Sequence, residues 1–381
     1  MRILWITHES SLSGANLCLV ALVKGLKSKN VQSSIITNSF GPIINKIEPF
    51  CNKIYFEKYR WWTYNGINHW IKLYFIRNSI RNLISIWDIL KVIKNENPDF
   101  VVTNTSVICS GAFAAWLAHK PHIWYVHEFG KEDHNFKYQY GRHITFRIID
   151  LLSKRIITVS KILKEYLTAL KINKNKIKVI YNGIKAPNID KSEKKQDLIR
   201  IILIGRIAKG KNIEIAIKAM FELKNLEYKS IRLDIFGGIN DLIYYEHLKQ
   251  EINRLNLHNE VTFKGYTSQP LKELQNSNIV LINSYSEAFG RTTIEAMACK
   301  TLVIANNKGA NKELIEDEIN GIIYDGESVD SLVEKVIFAI KNPIVINKII
   351  KTAYLYAKEN FSEEKYVDDF YNELLKLYDE H

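Results

Sequence analysis

Short apolar runs recur along the chain, and between them apolar positions return every three or four residues. "MRILWIT" reads as a strand, and "NLCLVALVKGLKSK" after it has the spacing of a helix. "QSSIITN", "DFVVTN", "HIWYVHE", "RIITVS" and "IKVIYNG" continue the strand series. Strands separated by helical patterns predict βαβ units, and so a parallel sheet with helices on both faces. The pattern restarts after the polar stretch "KAPNIDKSEKKQD". There "LIRIILIGRI" suits a central strand covered on both sides, and "IRLDIFGG", "EVTFKGY", "NIVLINS" and "TLVIANN" follow. The expectation is an α/β protein of two doubly wound domains joined near residues 183–198. Ligands of such sheets sit beyond the carboxyl ends of the strands, where loops meet helix N-termini.

Length agrees, because 381 residues exceed what one compact core holds. Charge adds an asymmetry. Up to Asn182 there are 26 Lys/Arg against 11 Asp/Glu, whereas the remainder has 27 against 30. A basic half predicts an anionic partner: nucleic acid, lipid headgroups or a phosphorylated substrate. No nucleic-acid-binding motif accompanies the excess, so nucleic acid is not expected. Cys18, Cys51, Cys109 and Cys299 have no metal-binding or CxxC spacing and read as reduced thiols in a reducing compartment. The apolar run at the N-terminus is too short for a signal peptide. Residues 100–118 lack charge, but their early polar positions make them a strand followed by a helix, not a membrane span.

The most informative stretch is "NSYSEAFGRTTIEAMACK", Asn283 to Lys300. A strand ends before it, a loop carries Glu287, and a helix starting near Arg291 carries Glu295. Gly290 permits a tight turn and close approach of a ligand to Phe289 and Gly290. Amides at a helix start favour an anion, and carboxylates suit the vicinal hydroxyls of a sugar or ribose. Acids beside a phosphate require cations, and "GRIAKGKN" supplies Arg206 and Lys211 after Gly205 at another strand end. Taken singly, each pair is ordinary solvated surface. Their combination at consecutive strand ends makes the case. No Asp-x-Asp occurs and no His lies near either Glu, so no metal is expected.

Glu287-AFGRTTI-Glu295, "GRIAKGKN", "ITVSK" and "VIYNGI" together resemble the retaining glycosyltransferases of family 4, also called group 1. The resemblance implies the GT-B fold, two Rossmann-like domains facing across a cleft. Residues 1–184 would bind the acceptor and 185–361 the nucleotide sugar, with the C-terminal helix 362–381 returning to the first domain through Tyr366, Phe370, Leu374 and Leu375. It implies that Glu295 holds the donor's ribose, that Glu287 holds the transferred sugar, and that Arg206 and Lys211 hold the diphosphate, assisted by the amides of Phe289 and Gly290. Where the family usually has two adjacent glycines near the donor, this chain has Ser13-Gly14. The resemblance still implies that Gly14 contributes to the donor site, whereas a lone glycine more often only shapes a turn. The resemblance also puts a sugar-contacting histidine at His127, while Glu128 orients it or contacts the acceptor. His122, before the same strand, has no such support.

Residues 58–94 carry Lys58, Arg60, Lys72, Arg77, Arg81, Lys91 and Lys94 against Asp88, interleaved with Trp61, Trp62, Trp70 and Trp87. Ile67, Trp70, Ile71 and Tyr74 have helical spacing, as do Ile80, Leu83, Ile84 and Trp87. They form either core or a surface for an anionic membrane. The function expected is metal-independent transfer, with retention, from a UDP- or GDP-sugar to a saccharide or lipid-linked saccharide. Its setting would be surface polysaccharide or lipopolysaccharide synthesis, in the cytoplasm and peripherally on the inner face of the membrane. The rivals are a nucleotide-sugar epimerase or a phosphorylase on the same fold, or a non-catalytic nucleic-acid- or membrane-binding protein.

Overall fold

The computed structural model of the chain describes residues 1–64, 71–185, 187 and 198–380. Ile67, Trp70 and most of the stretch 185–197 lie outside the described residues. The chain divides into two compact units, Met1–Gly183 with Glu363–His381, and Ile184–Ser362.

The first unit contains β1 (Arg2–Thr7), β2 (Gln32–Thr37), β3 (Lys53–Phe56), β4 (Thr63–Tyr64), β5 (Phe100–Asn104), β6 (His122–Val126), β7 (Lys137–Tyr138), β8 (Arg155–Thr158) and β9 (Ile177–Val179). Seven of these form a sheet in the order β3-β2-β1-β5-β6-β8-β9, parallel throughout, and β4 pairs with β7 separately. β1 is central, with Trp5 opposite Ile35 on one side and Val102 on the other. Ile3, Leu4, Trp5 and Ile6 are all buried because helices cover both faces.

On one face the Gly14–Ser28 helix packs against the chain's last helix, Glu363–Asp379. A Cβ on Gly25 would meet the Val367 side chain at 2.4 Å, so the helices nearly touch there. Phe370 packs against Trp5 with the rings tilted and their centroids 5.5 Å apart, and the hydroxyls of Tyr366 and Tyr125 lie 2.8 Å apart. The buried stripe is Tyr366, Phe370, Leu374 and Leu377, with Val367 beside it. Leu375, expected in that stripe, is exposed, because the helix turns it off the packed face.

The other face carries the helices Ile71–Glu96, Ser110–Leu117 and Arg142–Leu152, of which the middle one packs against both others. Here the helical stripe that the sequence left as either core or surface lies outside the core. Ile80, Leu83, Ile84 and Trp87 are exposed, whereas Asn78, Asn82 and Ser85 are buried. Trp62 does belong to the core and stacks on Trp124 at 5.9 Å.

The second unit contains β10 (Ile199–Ile204), β11 (Ile231–Phe236), β12 (Val261–Gly265), β13 (Ile279–Ile282), β14 (Leu302–Asn306) and β15 (Ile322–Tyr324). They form one parallel sheet in the order β12-β11-β10-β13-β14-β15. The order reverses direction at β10 and β13, which places a topological switch point between the loops after those strands. None of the four cysteines is in a disulfide. Among the described residues no helix is long and apolar enough to cross a membrane.

His122 opens β6 instead of preceding it, and it is buried with Nε2 2.8 Å from Thr103 Oγ1. Burial lowers its pKa from 6.5 to about 3. The unfolded chain therefore takes up this proton first. The stabilisation is complete above about pH 6.5 and is lost as pH falls towards 3. Asp133, which burial raises to about 7, acts in the opposite sense, so a variant must isolate the histidine. Between pH 6.5 and 4.5 the wild type should lose about 2 kcal/mol more than His122→Gln, measured by urea unfolding at each pH.

Candidate active site

The rim of the second sheet is built from backbone first. Gly205 follows β10, and its amide donates to the Phe236 carbonyl at 2.9 Å. Gly237 follows β11 with φ +158°, and a Cβ there would sit 1.7 Å from the Gly205 carbonyl oxygen. The ends of β10 and β11 are thus in backbone contact that only glycine permits. From Gly205 the chain runs past exposed Arg206 and through a short turn, Lys209–Lys211, to Asn212 in the left-handed region, before the Ile213–Asn225 helix begins. The Lys211 stem lies over Gly205, and its Nζ reaches Glu287 Oε1 at 2.6 Å.

Glu287 lies on the loop after β13, and that loop is held from several directions. The Tyr285 amide donates to the Gly210 carbonyl at 3.0 Å. The Asn306 side-chain amide, at the end of β14, donates to the carbonyls of Asn283 and Ser284, both at 2.8 Å. The Ala310 amide donates to the Glu287 carbonyl at 2.9 Å. Gly309, at φ +56°, passes so close that a Cβ would lie 2.5 Å from the Glu287 amide nitrogen. The loop ends at Gly290, left-handed at φ 85° and ψ 48°, which directs the chain into the Arg291–Ala298 helix.

Glu295 is in the second turn of that helix, where Arg291 Nε donates to its Oε1 at 2.6 Å. Each carboxylate of the Glu-x7-Glu pair is therefore matched with a cation: Glu287 with Lys211 and Glu295 with Arg291. Sequence reasoning assigned Lys211 to a phosphate and left Arg291 without a role. The Phe289 side chain is buried, with its ring 5.9 Å from that of Phe361, so only its backbone belongs to the rim.

The rim of the first sheet is organised around two asparagines. After β1, His8 Nε2 lies 3.2 Å from Glu9 Oε1, and this hydrogen bond leads the causes holding Glu9 down at about 2. Asn16 donates to the carbonyls of Glu9 and Ser11 and accepts from Thr7 Oγ1, which fixes the turn ahead of Gly14. Gly14 opens its helix with open space where a side chain would project. His127 follows β6, half-buried, with Nε2 2.8 Å from Asn104 Oδ1, and Asn104 in turn donates to the Ala15 carbonyl at 3.3 Å. Burial first, and electrostatic repulsion from the neighbouring His8 ring second, lower the His127 pKa from 6.5 to about 3, so its imidazole is neutral at neutral pH.

Glu128 does not touch that imidazole. Its carboxylate accepts from the Ser106 amide at 2.6 Å, from Ser106 Oγ at 2.8 Å and from the His127 amide at 3.2 Å. Burial raises its pKa against those bonds. It therefore anchors the loop after β5, where Thr105 is held at φ +136°, a strained value for a β-branched residue. Asn16, Asn104 and Asn306 were missed by sequence reasoning. Each is an asparagine at a strand end or helix start, a signal too common to single them out.

Gly309→Ala should lower stability by about 1–3 kcal/mol, since it forces a left-handed backbone and a collision with Glu287. Urea midpoints of the variant and wild type check this, and Gly238→Ala, which meets nothing within 4 Å, is the control.

Two family models cover nearly the whole chain: "Glycosyltransferase Family 4" over residues 12–186 and "Glycosyl transferases group 1" over 185–356. The poly(glycerol-phosphate) alpha-glucosyltransferase of Bacillus subtilis is 31% identical over 173 residues, covering 45% of this chain and 25% of that protein. An uncharacterised glycosyltransferase of Methanocaldococcus jannaschii is 34% identical over 196 residues, covering 47% of this chain and 49% of the relative. These matches thus span a quarter to a half of the relatives' own lengths. Among solved structures, Anabaena HepE in complex with UDP superposes with a TM-score of 0.83 over 99% of this chain and 100% of that one, at 19% identity, which is a likeness of fold. With two parallel α/β sheets, the Glu-x7-Glu loop and both family models in agreement, this chain belongs to the group 1, family 4 glycosyltransferases and has the GT-B fold.

Proposed function

We propose that the chain transfers a sugar from a nucleoside diphosphate sugar to a hydroxyl, with retention at the anomeric carbon. The observation that carries this reading is the Lys211–Glu287 contact of 2.6 Å between the loops after β10 and β13, the place where an open α/β sheet takes a ligand. Glu295 accepts from the ribose hydroxyls once Arg291 shares it, and Glu287 accepts from hydroxyls of the transferred sugar. Arg206 and Lys211 take the diphosphate, aided by the amides at the Gly290 turn. As the anomeric C–O bond breaks, these cations meet the charge that grows on the leaving diphosphate, so the assistance is electrostatic and no divalent ion is assigned a part. The ε-ammonium of Lys211 also offsets Glu287, which lets a carboxylate stand beside a phosphate site.

His127 is assigned to the transferred sugar by the family resemblance. Its neutral ring suits hydrogen bonding and not stabilisation by a full positive charge. The first unit is read as the acceptor side and the second as the nucleotide-sugar side. UDP is the first nucleotide to test, since the Anabaena neighbour was crystallised with it. GDP is the second. For the acceptor, relatives named for poly(glycerol-phosphate), for capsular polysaccharide biosynthesis and for a diphospho-undecaprenol saccharide support a cell-surface polymer or its lipid-linked precursor. A lipid-linked acceptor would place the protein at the inner face of the membrane.

The reading is tested by melting curves with UDP, GDP, ADP and CMP on wild type and Glu295→Ala. A nucleotide at a hundred times its dissociation constant should add about 2.7 kcal/mol, and the substitution should abolish the shift. No shift with any nucleotide defeats the assignment of the rim. With the donor so identified, Glu287→Ala and Arg206→Ala should each lower turnover by about a hundredfold or more while remaining folded. Near-wild-type turnover in either removes that residue from the mechanism.

A further inference from the structure

The Ile71–Glu96 helix changes polarity along its length. In its second half Ile86, Ile89, Leu90 and Ile93 are buried while Lys91 and Lys94 face solvent, the ordinary amphipathic arrangement. That half sets the rotation of the whole helix about its axis. Followed backwards at helical spacing, the same buried stripe falls on Ser85, Asn82 and Asn78. The outward stripe falls on Trp87, Leu83 and Ile84, Ile80 and Ile76, with Leu83 and Trp87 each 60% exposed.

Hydrogen bonds hold the inversion in place. Asn82 Oδ1 accepts from the Arg60 amide at 2.8 Å, and Ser85 Oγ donates to Ser110 Oγ at 2.8 Å on the adjoining helix. Rotating the helix to bury its apolar side would break both and expose the second half's core residues.

The outward apolar stripe continues on the neighbouring helices. Trp116 projects from Ser110–Leu117, and Ile144 and Leu151 from Arg142–Leu152. Gln139 and Tyr140 tie the start of that last helix to Ser79. An apolar face of this extent is not left to water without a reason.

The charges around it identify the occupant. Arg77, Arg81, Lys94 and Arg147 surround the stripe. The facing acids are taken up locally: Asp88 with Lys91 at 2.8 Å, Asp150 with Lys176 at 3.9 Å and Glu132 with Arg142 at 3.2 Å. A second copy would bring a like-charged face against this one and be repelled, whereas an anionic bilayer attracts it. Tryptophan at both Trp87 and Trp116, flanked by cations, is the chemistry of the headgroup layer.

We propose that the outward face of the helices Ile71–Glu96, Ser110–Leu117 and Arg142–Leu152 docks on an anionic lipid bilayer, with Leu83, Trp87 and Trp116 entering the headgroup region. The surface differs from the aromatic run read from the sequence, since Trp62 is core and the Arg142–Leu152 helix takes part. The docking stands apart from the proposed sugar transfer. Only its purpose, reaching a lipid-anchored acceptor, rests on that reading.

The test is co-sedimentation of the full chain with phosphatidylcholine vesicles, with and without phosphatidylglycerol, in dilute and concentrated salt. The wild type should prefer the anionic vesicles by on the order of a hundredfold at low salt, falling as salt screens the contact. Arg77→Gln with Arg81→Gln should weaken binding about thirtyfold. Leu83→Glu with Trp87→Glu, both at exposed positions, should abolish it while leaving the melting temperature and any nucleotide-induced shift intact. Absence of wild-type binding, or undiminished binding by the Leu83→Glu, Trp87→Glu double variant, would overturn the proposal. So would a concentration-dependent dimer in sedimentation velocity that the same double variant lacks, because the face would then belong to a second copy. Vesicle binding without any nucleotide response would leave docking standing and sink the transferase reading instead.

Discussion

The loop from Asn283 to Gly290 can hold a carboxylate against the Lys211 ammonium only because its backbone is clamped before any ligand arrives. Asn306 occupies two of its carbonyls, Gly210 takes the Tyr285 amide, and Gly309 and Ala310 lie directly against Glu287. Lys211 then completes the arrangement from the neighbouring strand end at 2.6 Å. A preorganised carboxylate–ammonium pair costs little reorganisation when a polar ligand binds, which is the condition under which electrostatic assistance is effective. Most of the second unit's architecture serves to bring β10, β13 and β14 to a common rim.

The first unit uses the same device with different residues. Asn104 bridges the His127 imidazole to the start of the Gly14–Ser28 helix, and Asn16 fixes the turn between Glu9 and Ser11. Glu128 holds the loop after β5 through Ser106, while Trp62 and Trp124 donate to the carbonyls of Ser106 and Thr105. That density of bonds accounts for a threonine at positive φ: the surroundings over-determine its backbone, so local strain is tolerated. In both units buried asparagines, able to donate and accept at once, connect loops that share no backbone ladder.

The last helix has a consequence for stability. Tyr366 and Phe370 complete the first unit's core against Tyr125 and Trp5, although they follow the entire second unit in the chain. The first unit's core is therefore incomplete until the chain's end is available, and contacts of such long sequence separation are slow to form.

Much of this was legible in the sequence because it rests on local periodicity. Alternation of strand and helix patterns is a property of neighbouring residues, and so are glycines at strand ends and a carboxylate pair bracketing a turn. The two parallel sheets, the helix start at Arg291 and the placing of Arg206, Lys211, Glu287 and Glu295 beyond strand ends followed from them. What only the tertiary structure decided depends on partners far away in the chain. Lys211 selects Glu287 from across 76 positions, while Arg291 holds Glu295 within its own helix, and spacing alone distinguishes neither from a solvated surface lysine or arginine. The Ile80–Trp87 stripe shows the limit most plainly. Its helical spacing left core and surface both open, and the rotation of the helix, set by its second half and by hydrogen bonds to Arg60 and Ser110, turned the apolar side outward. Periodicity determines that a helix has two faces; which one meets the sheet is decided by what the sheet and its neighbouring helix offer.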